Sequence, residues 1–409
     1  MASVIYLTQD GITDHIGQAQ IAPYILGLAR LGHRIHVVSA EKPGRDLLKA
    51  KYRSLFAAAG VKWSFVPYAN KPPLVSSFVV LYRMYKLAQA VMQKEGQDVI
   101  HCRAYLPLEL AVRLKGQFNA KLLVDFRDFW ADVGIETKPF KFVFHYLKGR
   151  EPEYICAADR VVTLTERAAD ILHQWYPEAV GGDRSRYQVI PCCADFTHFD
   201  PAKIDAATIE ARRQELGVSR NDFVLLYLGS LGPDYLLPEM LRLFRTLLTL
   251  RPNAKFLFLT NTGRELVEQH RAEAEVPAEA LRYASVDRVH VPEYAALADL
   301  SVVFIRPTLS KAGCSPTKLA ELFALNVPVI ANTGVGDLDA IIELGRNGSA
   351  ILDDFESGTM VKALERVLAQ PGRRSQIRNN SRDMSLEEGV RRYAVLYDAL
   401  DGSPISRAA

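Results

Sequence analysis

The sequence has few of the features that mark metal-binding or nucleic-acid-binding proteins. It contains only five cysteines, which form no Cys-x-x-Cys pair and no cluster with histidine at zinc spacing. We therefore expect reduced thiols and no bound metal. The formal net charge of the 409 residues is only +3, so electrostatics do not favour nucleic acid as a partner.

Long apolar runs and a targeting segment are also missing. The chain opens with MASVIYLT, which has no basic region and no extended apolar stretch, so we expect no signal peptide. The most apolar segment, LVSSFVVLYRMYKLAQAVM, carries Arg83 and Lys86 in its second half. It predicts a partly buried helix rather than a membrane span. Together these absences predict a cytoplasmic protein.

Short β-branched runs alternate with helical patterns along the whole chain. This alternation predicts parallel sheets covered by helices. The strand candidates are Val4–Thr8, Ile35–Ser39, Val61–Val66, Val99–Cys102, Leu122–Asp125, Val161–Leu164, Phe223–Leu228, Ala254–Thr260, Val289–His290, Val302–Ile305 and Val327–Ala331.

The alternation breaks at IPCCADFTHFDP and then restarts. We therefore expect two α/β domains, residues 1–191 and 192–385, with a final helix over 386–402 that packs back on the first domain. Ligands bind beyond the carboxyl ends of the strands in such sheets, so two facing domains would form a central cleft.

The segment FIRPTLSKAGCSPTKLAELFALNVPVIANTGVGD predicts a strand, a polar loop and a helix. Ser315 suits the N-cap of this helix, and Pro316 suits its first position. The free N–H groups of Thr317 and Lys318 would then form a site for phosphate, assisted by the helix dipole.

Lys318 and Glu321 are three residues apart, so we expect them on one exposed face of this helix. The helix dipole favours the ionised form of a carboxylate placed near the N-terminus. A well-capped helix with an exposed ion pair and no ligand fits the local pattern equally well.

The same segment resembles the donor-binding segment of glycosyltransferase family 4, whose members are retaining enzymes of the GT-B fold. In that family a glutamate in the loop is followed eight positions later by a second glutamate and then by a PVI-type strand. Glu321 matches the second glutamate, which implies that it holds the ribose hydroxyls of a nucleotide. Gly313 stands where the first glutamate is expected, and this departure leaves the transferred sugar open.

Two other segments resemble the same family. VIPCCADFTHFDP is similar to its interdomain signature, and GITDHIGQAQIAPYILGLARLGHRIHVVS is similar to its opening loop, helix and second strand. The resemblance implies that Gly17 lies near the donor phosphates and the acceptor. Because it spans most of the chain, it implies two Rossmann-like parallel-sheet domains, the first for the acceptor and the second for the donor.

The loop YLGSLGPDYLLPEM departs from the family pattern, because Ser230 occupies a position where arginine is expected. Gly229 and Gly232 still permit a ligand to approach the backbone closely. We expect the missing cations to come from Arg306 and Lys318, since a guanidinium or ammonium group can bind a diphosphate through charge-assisted hydrogen bonds.

The first domain contains a second departure in DVIHCRAYLP. Arg103 stands where many family members have the histidine near the reacting centre, and His101 lies two residues before it. We assign both as catalytic candidates, although His101 taken alone fits a buried structural histidine better. An arginine at a strand end is harder to explain as a core residue.

The next loop, VDFRDFWADVG, concentrates charge around aromatic side chains. Asp125, Arg127 and Trp130 are candidates for acceptor binding, and Asp128 is a third catalytic candidate. Carboxylates would orient sugar hydroxyls while an aromatic ring supplies an apolar face. Solvated loop charge is the alternative interpretation.

The resemblance implies transfer of a sugar from a nucleotide-diphosphate sugar to a hydroxylated acceptor with retention of configuration. No D-x-D motif is placed to hold Mg²⁺, so we expect fixed donors to stabilise the leaving diphosphate without a metal or cofactor. A GT-B-fold protein that binds a nucleotide sugar without turnover is the alternative.

The segment KPFKFVFHYLKGR suits a shallow contact with the inner face of the membrane and a lipid-linked acceptor, although a plain surface helix fits equally. A glycan or a small hydroxylated molecule would also serve as acceptor. The sequence leaves the nucleotide, the sugar and the oligomeric state open.

Overall fold

The computed structural model describes residues 1–370 and 374–402, and the chain forms two compact units. The first unit comprises Met1–Pro191 together with the C-terminal helix, and the second comprises Cys192–Ser385. Each unit contains its own parallel sheet and its own buried apolar core.

The first unit contains a seven-stranded parallel sheet in the order β3-β2-β1-β4-β5-β6-β7. Most residues of β1, β2, β4 and β5 are buried, because helices cover both faces of a parallel sheet. The strands are β1 Ser3–Thr8, β2 Arg34–Glu41, β3 Lys62–Pro67, β4 Val99–Arg103, β5 Lys121–Phe126, β6 Arg160–Thr163 and β7 Tyr187–Val189.

Helices of the first unit follow the strands along the chain. They are α1 Ala22–Arg30, α2 Asp46–Ala58, α3 Val75–Glu95, α4 Leu108–Phe118, α5 Trp130–Thr137, α6 Lys141–Cys156 and α7 Glu166–Trp175. A short π-helical segment, Gly17–Ile21, leads into α1. The long helix α3 buries Val80, Met84 and Ala88 on one stripe, at the spacing that a helix requires.

The second unit contains a six-stranded parallel sheet in the order β10-β9-β8-β11-β12-β13. The strands are β8 Val224–Leu228, β9 Lys255–Leu259, β10 Leu281–Ala284, β11 Leu300–Val303, β12 Val329–Asn332 and β13 Ala350–Leu352. The helices are α8 Ala206–Leu216, α9 Leu237–Leu250, α10 Arg264–Glu273, α11 Val291–Ala295, α12 Thr317–Ala324, α13 Leu338–Ile341, α14 Leu344–Asn347, α15 Ser357–Leu368 and α16 Arg374–Asn380.

The C-terminal helix α17, Leu386–Asp401, belongs to the first unit and packs on α1 and β4. Gly27 of α1 makes this packing close, because a Cβ atom there would lie 2.6 Å from Cγ2 of Val390. The ring of Tyr24 meets the ring of Tyr393 edge-on at 5.7 Å. A substitution at Gly27 would therefore separate the two helices.

Both sheets are doubly wound, and in each sheet the order of the strands reverses beside the first strand. In the first sheet the switch lies between β1 and β4, and in the second it lies between β8 and β11. Ligands of open α/β sheets bind beyond the carboxyl ends of the strands at this switch point. The loops that follow these four strands are therefore the candidate binding loops of the two units.

One predicted strand is wrong. Val289–His290 lies in the 3₁₀ turn Arg288–His290, and Val289 is 63% exposed. The strand in this part of the chain is instead β10, which ends at Ala284. Its residues LRYA include an arginine and a tyrosine and therefore do not resemble a buried strand. The three-residue strands β7 and β13 also lie outside the predicted set, because such short runs carry little periodic signal.

Candidate functional sites

Gly229 follows β8 at the switch point of the second sheet. Its φ angle is +116°, a backbone conformation that residues other than glycine rarely adopt. A Cβ atom at this position would lie 3.1 Å from Nζ of Lys318. The glycine therefore lets the loop after β8 pass directly over the lysine of α12.

Lys318 places its ammonium group between two aromatic rings. Its Nζ atom lies 4.5 Å from the centre of the Tyr227 ring and 4.3 Å from that of Tyr235. Nζ is buried and has no hydrogen-bond partner among the described residues. Burial lowers the pKa of Lys318 to about 7, although Cys314 and Glu321 act in the opposite direction. A buried cation without an anion is unfavourable, so this site fits a phosphate group.

The N-terminus of α12 differs from the prediction by one position. Pro316 occupies the N-cap and the helix begins at Thr317, without a side-chain cap. Ser315 is therefore not the N-cap. Its hydroxyl instead accepts a hydrogen bond of 3.1 Å from the backbone N–H of Cys192. The first N–H groups of the helix therefore have no capping side chain, as a phosphate site requires.

Glu321 is buried, with only 6% of the residue exposed. Its Oε1 atom forms an ion pair of 2.9 Å with Nη2 of Arg288. The alternative interpretation, an exposed ion pair between Glu321 and Lys318, is therefore wrong. Burial raises the pKa of Glu321, and Arg288 only partly opposes this effect. Desolvation outweighs the helix dipole at this position.

Arg288 is a candidate residue that the sequence did not reveal. It lies in the turn before α11, and its guanidinium stands 5.5 Å from the centre of the Phe199 ring. The DRVH sequence around it matches no binding motif. Its role follows only from the fold, which brings it to Glu321 of α12.

The remaining donor candidates lie around the same loops. The side chain of Arg306 is exposed and makes no hydrogen bond or ion pair within residues 1–370 and 374–402, while its backbone N–H donates to the carbonyl of Asp234 at 2.8 Å. The carbonyl of Ser230 accepts a hydrogen bond of 2.8 Å from the Tyr227 hydroxyl. Gly232 has open space where a Cβ atom would stand, so the protein itself does not require glycine there.

A cavity of the second unit, about 560 Å³ in volume, lies beyond the carboxyl ends of β9 and β10. Thr262 lines this cavity, and its hydroxyl accepts a hydrogen bond of 3.3 Å from the N–H of Leu231 in the loop after β8. Tyr283 also lines it, with the Arg264 guanidinium 4.7 Å from its ring centre. The cavity therefore adjoins the loop that covers Lys318.

The first unit contains a pocket of about 400 Å³ at the switch point of its sheet. It brings together four of the predicted site residues. These are Arg103, Arg127, Asp128 and Trp130. The other lining residues are Gln9, Asp10, Asp14, Ile16, Lys42, Tyr68, Ala104, Tyr105, Leu106 and Pro107.

Asp125 lies beneath this pocket and is almost completely buried. The register of β4 against β5 places it opposite Arg103, whose Nη1 atom is 3.2 Å from Oδ2 of the carboxylate. Nη1 of Arg127 lies 3.2 Å from the other oxygen. Burial opposes ionisation, but Arg127, His101 and Arg103 outweigh it and hold the pKa of Asp125 well below its usual range. Asp125 therefore positions two guanidinium groups rather than lining the pocket itself.

His101 lies behind Asp125 in the core and does not line the pocket. Its Nδ1 atom is 2.7 Å from the hydroxyl of Tyr397, and its ring packs against Tyr6 and Tyr393. Burial lowers the pKa of His101 and so favours the neutral imidazole, although Asp125 acts in the opposite direction. These contacts favour the interpretation of a buried structural histidine.

Two residues that line the same pocket carry a polar atom that makes no hydrogen bond within the described residues. Within the described residues, Nε of Arg103 and Oε1 of Gln9 are buried and unpartnered, and both residues line the pocket. The Trp130 ring stacks on Tyr105 with their centres 5.8 Å apart. The pocket therefore offers a donor, an acceptor and an aromatic wall, a combination that suits a sugar ring.

Gly17 does not line this pocket, although its neighbour Ile16 does. A Cβ atom on Gly17 would overlap the carbonyl oxygens of Gly11 and Ile12. The buried carboxylate of Glu41 fixes the same loop by accepting hydrogen bonds from the N–H of Ile12 at 2.6 Å and from the hydroxyl of Thr13 at 2.6 Å. Close packing of the loop after β1 is therefore sufficient to require glycine at position 17.

In the described ranges, no group of three or more histidine, cysteine, aspartate or glutamate side chains is arranged to hold a metal ion. Across the same ranges, no helix combines the length and the apolar character that crossing a membrane would need.

Two family models match successive parts of this chain. The model described as Glycosyltransferase Family 4 matches residues 24–198, and the model described as Glycosyl transferases group 1 matches residues 208–384. Together they cover most of the chain.

A curated relative is the D-inositol 3-phosphate glycosyltransferase of Gordonia bronchialis. It is 27% identical over 240 residues, and the match covers 57% of this chain and 49% of the relative. The chain therefore matches about half the length of this relative.

Solved structures of similar fold include a glycosyltransferase from Rickettsia africae ESF-5, with a TM-score of 0.71, 14% identity and coverage of 98% of this chain and 99% of the other. Anabaena Alr3699/HepE in complex with UDP and glucose has a TM-score of 0.68, 15% identity and coverage of 96% and 98%. At such low identity the likeness establishes the fold alone.

Proposed function

The chain belongs to glycosyltransferase family 4, and on that premise we propose that it transfers a sugar from a nucleotide-diphosphate sugar to a hydroxylated acceptor with retention of configuration. The second unit would hold the donor and the first the acceptor. The observation that carries the proposal is the side-chain nitrogen of Lys318, which is buried without a hydrogen-bond partner beneath the Gly229 loop within the described residues. A diphosphate would supply the missing anion.

The rest of the donor site supports a nucleotide. Glu321 lies one turn into α12, where its carboxylate would accept hydrogen bonds from the ribose hydroxyls. Arg288 would hold this carboxylate in its ionised form from 2.9 Å away. The cavity beyond the carboxyl ends of β9 and β10 would receive the base, and Arg306 would reach the diphosphate from the loop after β11. A UDP-bearing structural relative, Anabaena Alr3699/HepE, supports a nucleotide of this kind.

The first-unit pocket supports a hydroxylated acceptor. Arg103, Arg127 and Asp128 would hydrogen-bond to its hydroxyl groups, while Trp130 would pack on an apolar face of the ring. The curated relative is named for an inositol phosphate acceptor, which supports a polyol or sugar of similar size. Asp125 would act only by positioning the two arginines.

The reaction requires charge stabilisation more than proton transfer by a side chain. The bond between the anomeric carbon and the diphosphate oxygen breaks, the acceptor oxygen bonds to the same face of that carbon, and the acceptor proton moves to the leaving phosphate. Lys318, the N–H groups of α12 and the Gly229 loop would stabilise the departing diphosphate. These groups would make a metal or another cofactor unnecessary.

A panel of sugar nucleotides tests this proposal most directly. UDP-, GDP-, ADP- and CDP-glucose should differ in the thermal stabilisation they give, because only the preferred nucleotide binds tightly enough to shift unfolding. That donor should then be consumed when hydroxylated acceptors are added. Binding without turnover over a broad set of sugar, polyol and lipid-linked acceptors would favour a protein that binds nucleotide sugars without catalysis.

Exposed aromatic side chains support a contact with a membrane surface. On the first unit, α3 exposes Phe78 and Tyr82, and α6 exposes Phe142 and Tyr146. Exposed basic residues accompany them, namely Arg83, Lys86, Lys138 and Lys141. Aromatic and basic side chains together favour the interface of an anionic bilayer, so we place the acceptor at or near the inner membrane face.

Sedimentation with lipid vesicles tests the membrane contact. The wild-type protein should bind vesicles that contain phosphatidylglycerol and leave pure phosphatidylcholine vesicles largely free. Phe142→Ser should weaken this binding. Leu47→Ser is the matched control, because Leu47 is 90% exposed on α2, away from both aromatic clusters in the sequence. Equal losses in the two variants would contradict a role for the aromatic face.

A further inference from the structure

The side chain of Lys318 is enclosed by groups that offer its ammonium no hydrogen-bond acceptor. Tyr227 of β8 and Tyr235, which precedes α9, present their ring faces at 4.5 and 4.3 Å. The Tyr227 hydroxyl donates to the carbonyl of Ser230 at 2.8 Å. A ring face stabilises a cation only weakly compared with a hydrogen-bonded anion.

The titratable neighbours of Lys318 do not supply the anion either. Burial raises the pKa of the Cys314 thiol to about 11, so this group is neutral. Glu321 is paired with Arg288 at 2.9 Å. Lys311, in the turn before α12, pairs at 2.8 Å with Asp234 of the loop after β8. Within the described part of the chain, the Lys318 ammonium is therefore buried without a hydrogen-bonded counter-charge.

We propose that Lys318 takes up a proton when the diphosphate of the donor binds, so that donor binding is coupled to proton uptake from solvent. The inference rests on the proposed function, since the donor diphosphate is the anion that completes the site. The neutral amine gains one proton from the buffer and becomes an ammonium hydrogen-bonded to phosphate oxygens. No other group has to change its charge.

The direction of the pH effect follows from the two states of the lysine. In the empty site burial lowers the pKa of Lys318 to about 7. A bound diphosphate raises the pKa again, because it stabilises the charged form. Donor affinity should therefore be highest below pH 7 and fall as the pH rises. Linkage gives a fall of about tenfold between pH 6 and 8, with uptake of about 0.9 proton per donor at pH 8.

Isothermal titration calorimetry in two buffers of different ionisation enthalpy, HEPES and Tris, measures this proton directly. The probe is the member of the UDP-, GDP-, ADP- and CDP-glucose panel that stabilises the protein most. The diphosphate of a sugar nucleotide is doubly esterified and does not titrate between about pH 6 and 9, so the uptake belongs to the protein. The matching nucleoside should bind without proton uptake.

Two variants assign the proton to one residue. Lys318→Arg stays charged at every pH used, so it should bind the donor with little or no uptake and with a flat pH profile. Lys311→Met is the matched control on the neighbouring turn and should keep the wild-type uptake. If Lys318→Arg does not fold, the absence of proton uptake by the wild-type protein at pH 8 would still overturn the inference.

The outcomes separate this inference from the proposed function. Donor binding without proton uptake, or uptake that persists in Lys318→Arg, overturns the inference and leaves the proposed function standing. No binding by any sugar nucleotide overturns the proposed function, and the inference falls with it.

Discussion

Arg288 and Glu321 come from different parts of the second unit, yet Nη2 of the arginine lies 2.9 Å from Oε1 of the buried glutamate. The pair explains how a carboxylate that burial pushes toward its neutral form could serve as a hydrogen-bond acceptor. Arg288 is therefore a second residue of the proposed donor site, and the effect of its substitution on nucleotide binding can be measured.

The first prediction concerns Glu321. Glu321→Gln keeps the shape of the side chain but loses its charge, so ribonucleotide binding should weaken by about 1–3 kcal/mol, the scale of hydrogen bonds to charged groups. A 2′,3′-dideoxy nucleotide should bind the wild type poorly and should be nearly insensitive to the substitution. Titration calorimetry of both nucleotides on both proteins measures this.

Arg288→Met should mimic part of the Glu321→Gln effect, because the carboxylate then loses the partner that favours its ionised form. If neither substitution changes nucleotide affinity, Glu321 does not contact the ribose. The ion pair would then have a structural role only.

The second prediction compares the two candidate cations of the donor site. Lys318→Met and Arg306→Ala should each weaken nucleoside-diphosphate binding by about 1.5–3 kcal/mol and leave nucleoside binding nearly unchanged. We expect the larger loss at Lys318, whose ammonium is buried, than at Arg306, which is exposed. Equal losses for the nucleoside and the diphosphate would mean that these side chains do not touch phosphate.

The third prediction concerns the stability of the first unit. Asp125→Asn removes the carboxylate that neutralises the guanidinium groups of Arg103 and Arg127. Breaking a buried pair in this way should destabilise the unit by about 3–5 kcal/mol. All three tryptophans, Trp63, Trp130 and Trp175, lie in the first unit, so their fluorescence reports its unfolding in urea.

Asp128→Asn is the matched control, because Asp128 is exposed in the same loop and its substitution should change stability by less than about 0.5 kcal/mol. The pKa of Asp125 is lowered in the folded state, so its contribution is complete above the unfolded pKa of about 3.9 and is lost as the pH falls further. Asp125→Asn should lack this acid-dependent component. An unchanged urea midpoint in Asp125→Asn would show that the two arginines are neutralised by other groups.

The fourth prediction is that transfer does not depend on a divalent metal ion. The sequence contains no motif placed to hold one, and Lys318 with the N-terminus of α12 can stabilise the leaving diphosphate instead. Turnover should be the same before and after dialysis against EDTA. Activity that disappears with EDTA and returns with Mn²⁺ or Mg²⁺ would contradict this prediction.

The sequence predicted the family and the GT-B fold correctly. The parallel-sheet architecture was accessible because the alternation of apolar runs and helical patterns is a local property, visible without knowledge of contacts. The family was accessible because the segments that resemble it, such as VIPCCADFTHFDP, are continuous stretches of the sequence. The strand β10 was missed for the opposite reason. Its LRYA sequence carries no buried pattern of its own and becomes a strand by pairing with β9.

The chemistry of the donor segment was only partly predictable. The helix that begins within SPTK was expected, but burial of Lys318 and Glu321 depends on residues that are distant in sequence. Tyr227, Tyr235 and Arg288 reach this helix only after the sheet has formed. A one-dimensional pattern shows neither the aromatic enclosure of the lysine nor the ion pair of the glutamate.

The C-terminal helix α17 completes the first unit, although the second unit lies between them in the chain. During synthesis, residues 1–191 leave the ribosome long before residues 386–401. At about 5–20 residues per second the interval is roughly 10–40 s. Throughout this time the face of α1 around Gly27, which later packs on Val390, stays uncovered in the nascent chain. The first unit therefore finishes folding only after residue 386 has been made, and a stop codon before that residue would damage the part of the chain that is translated first.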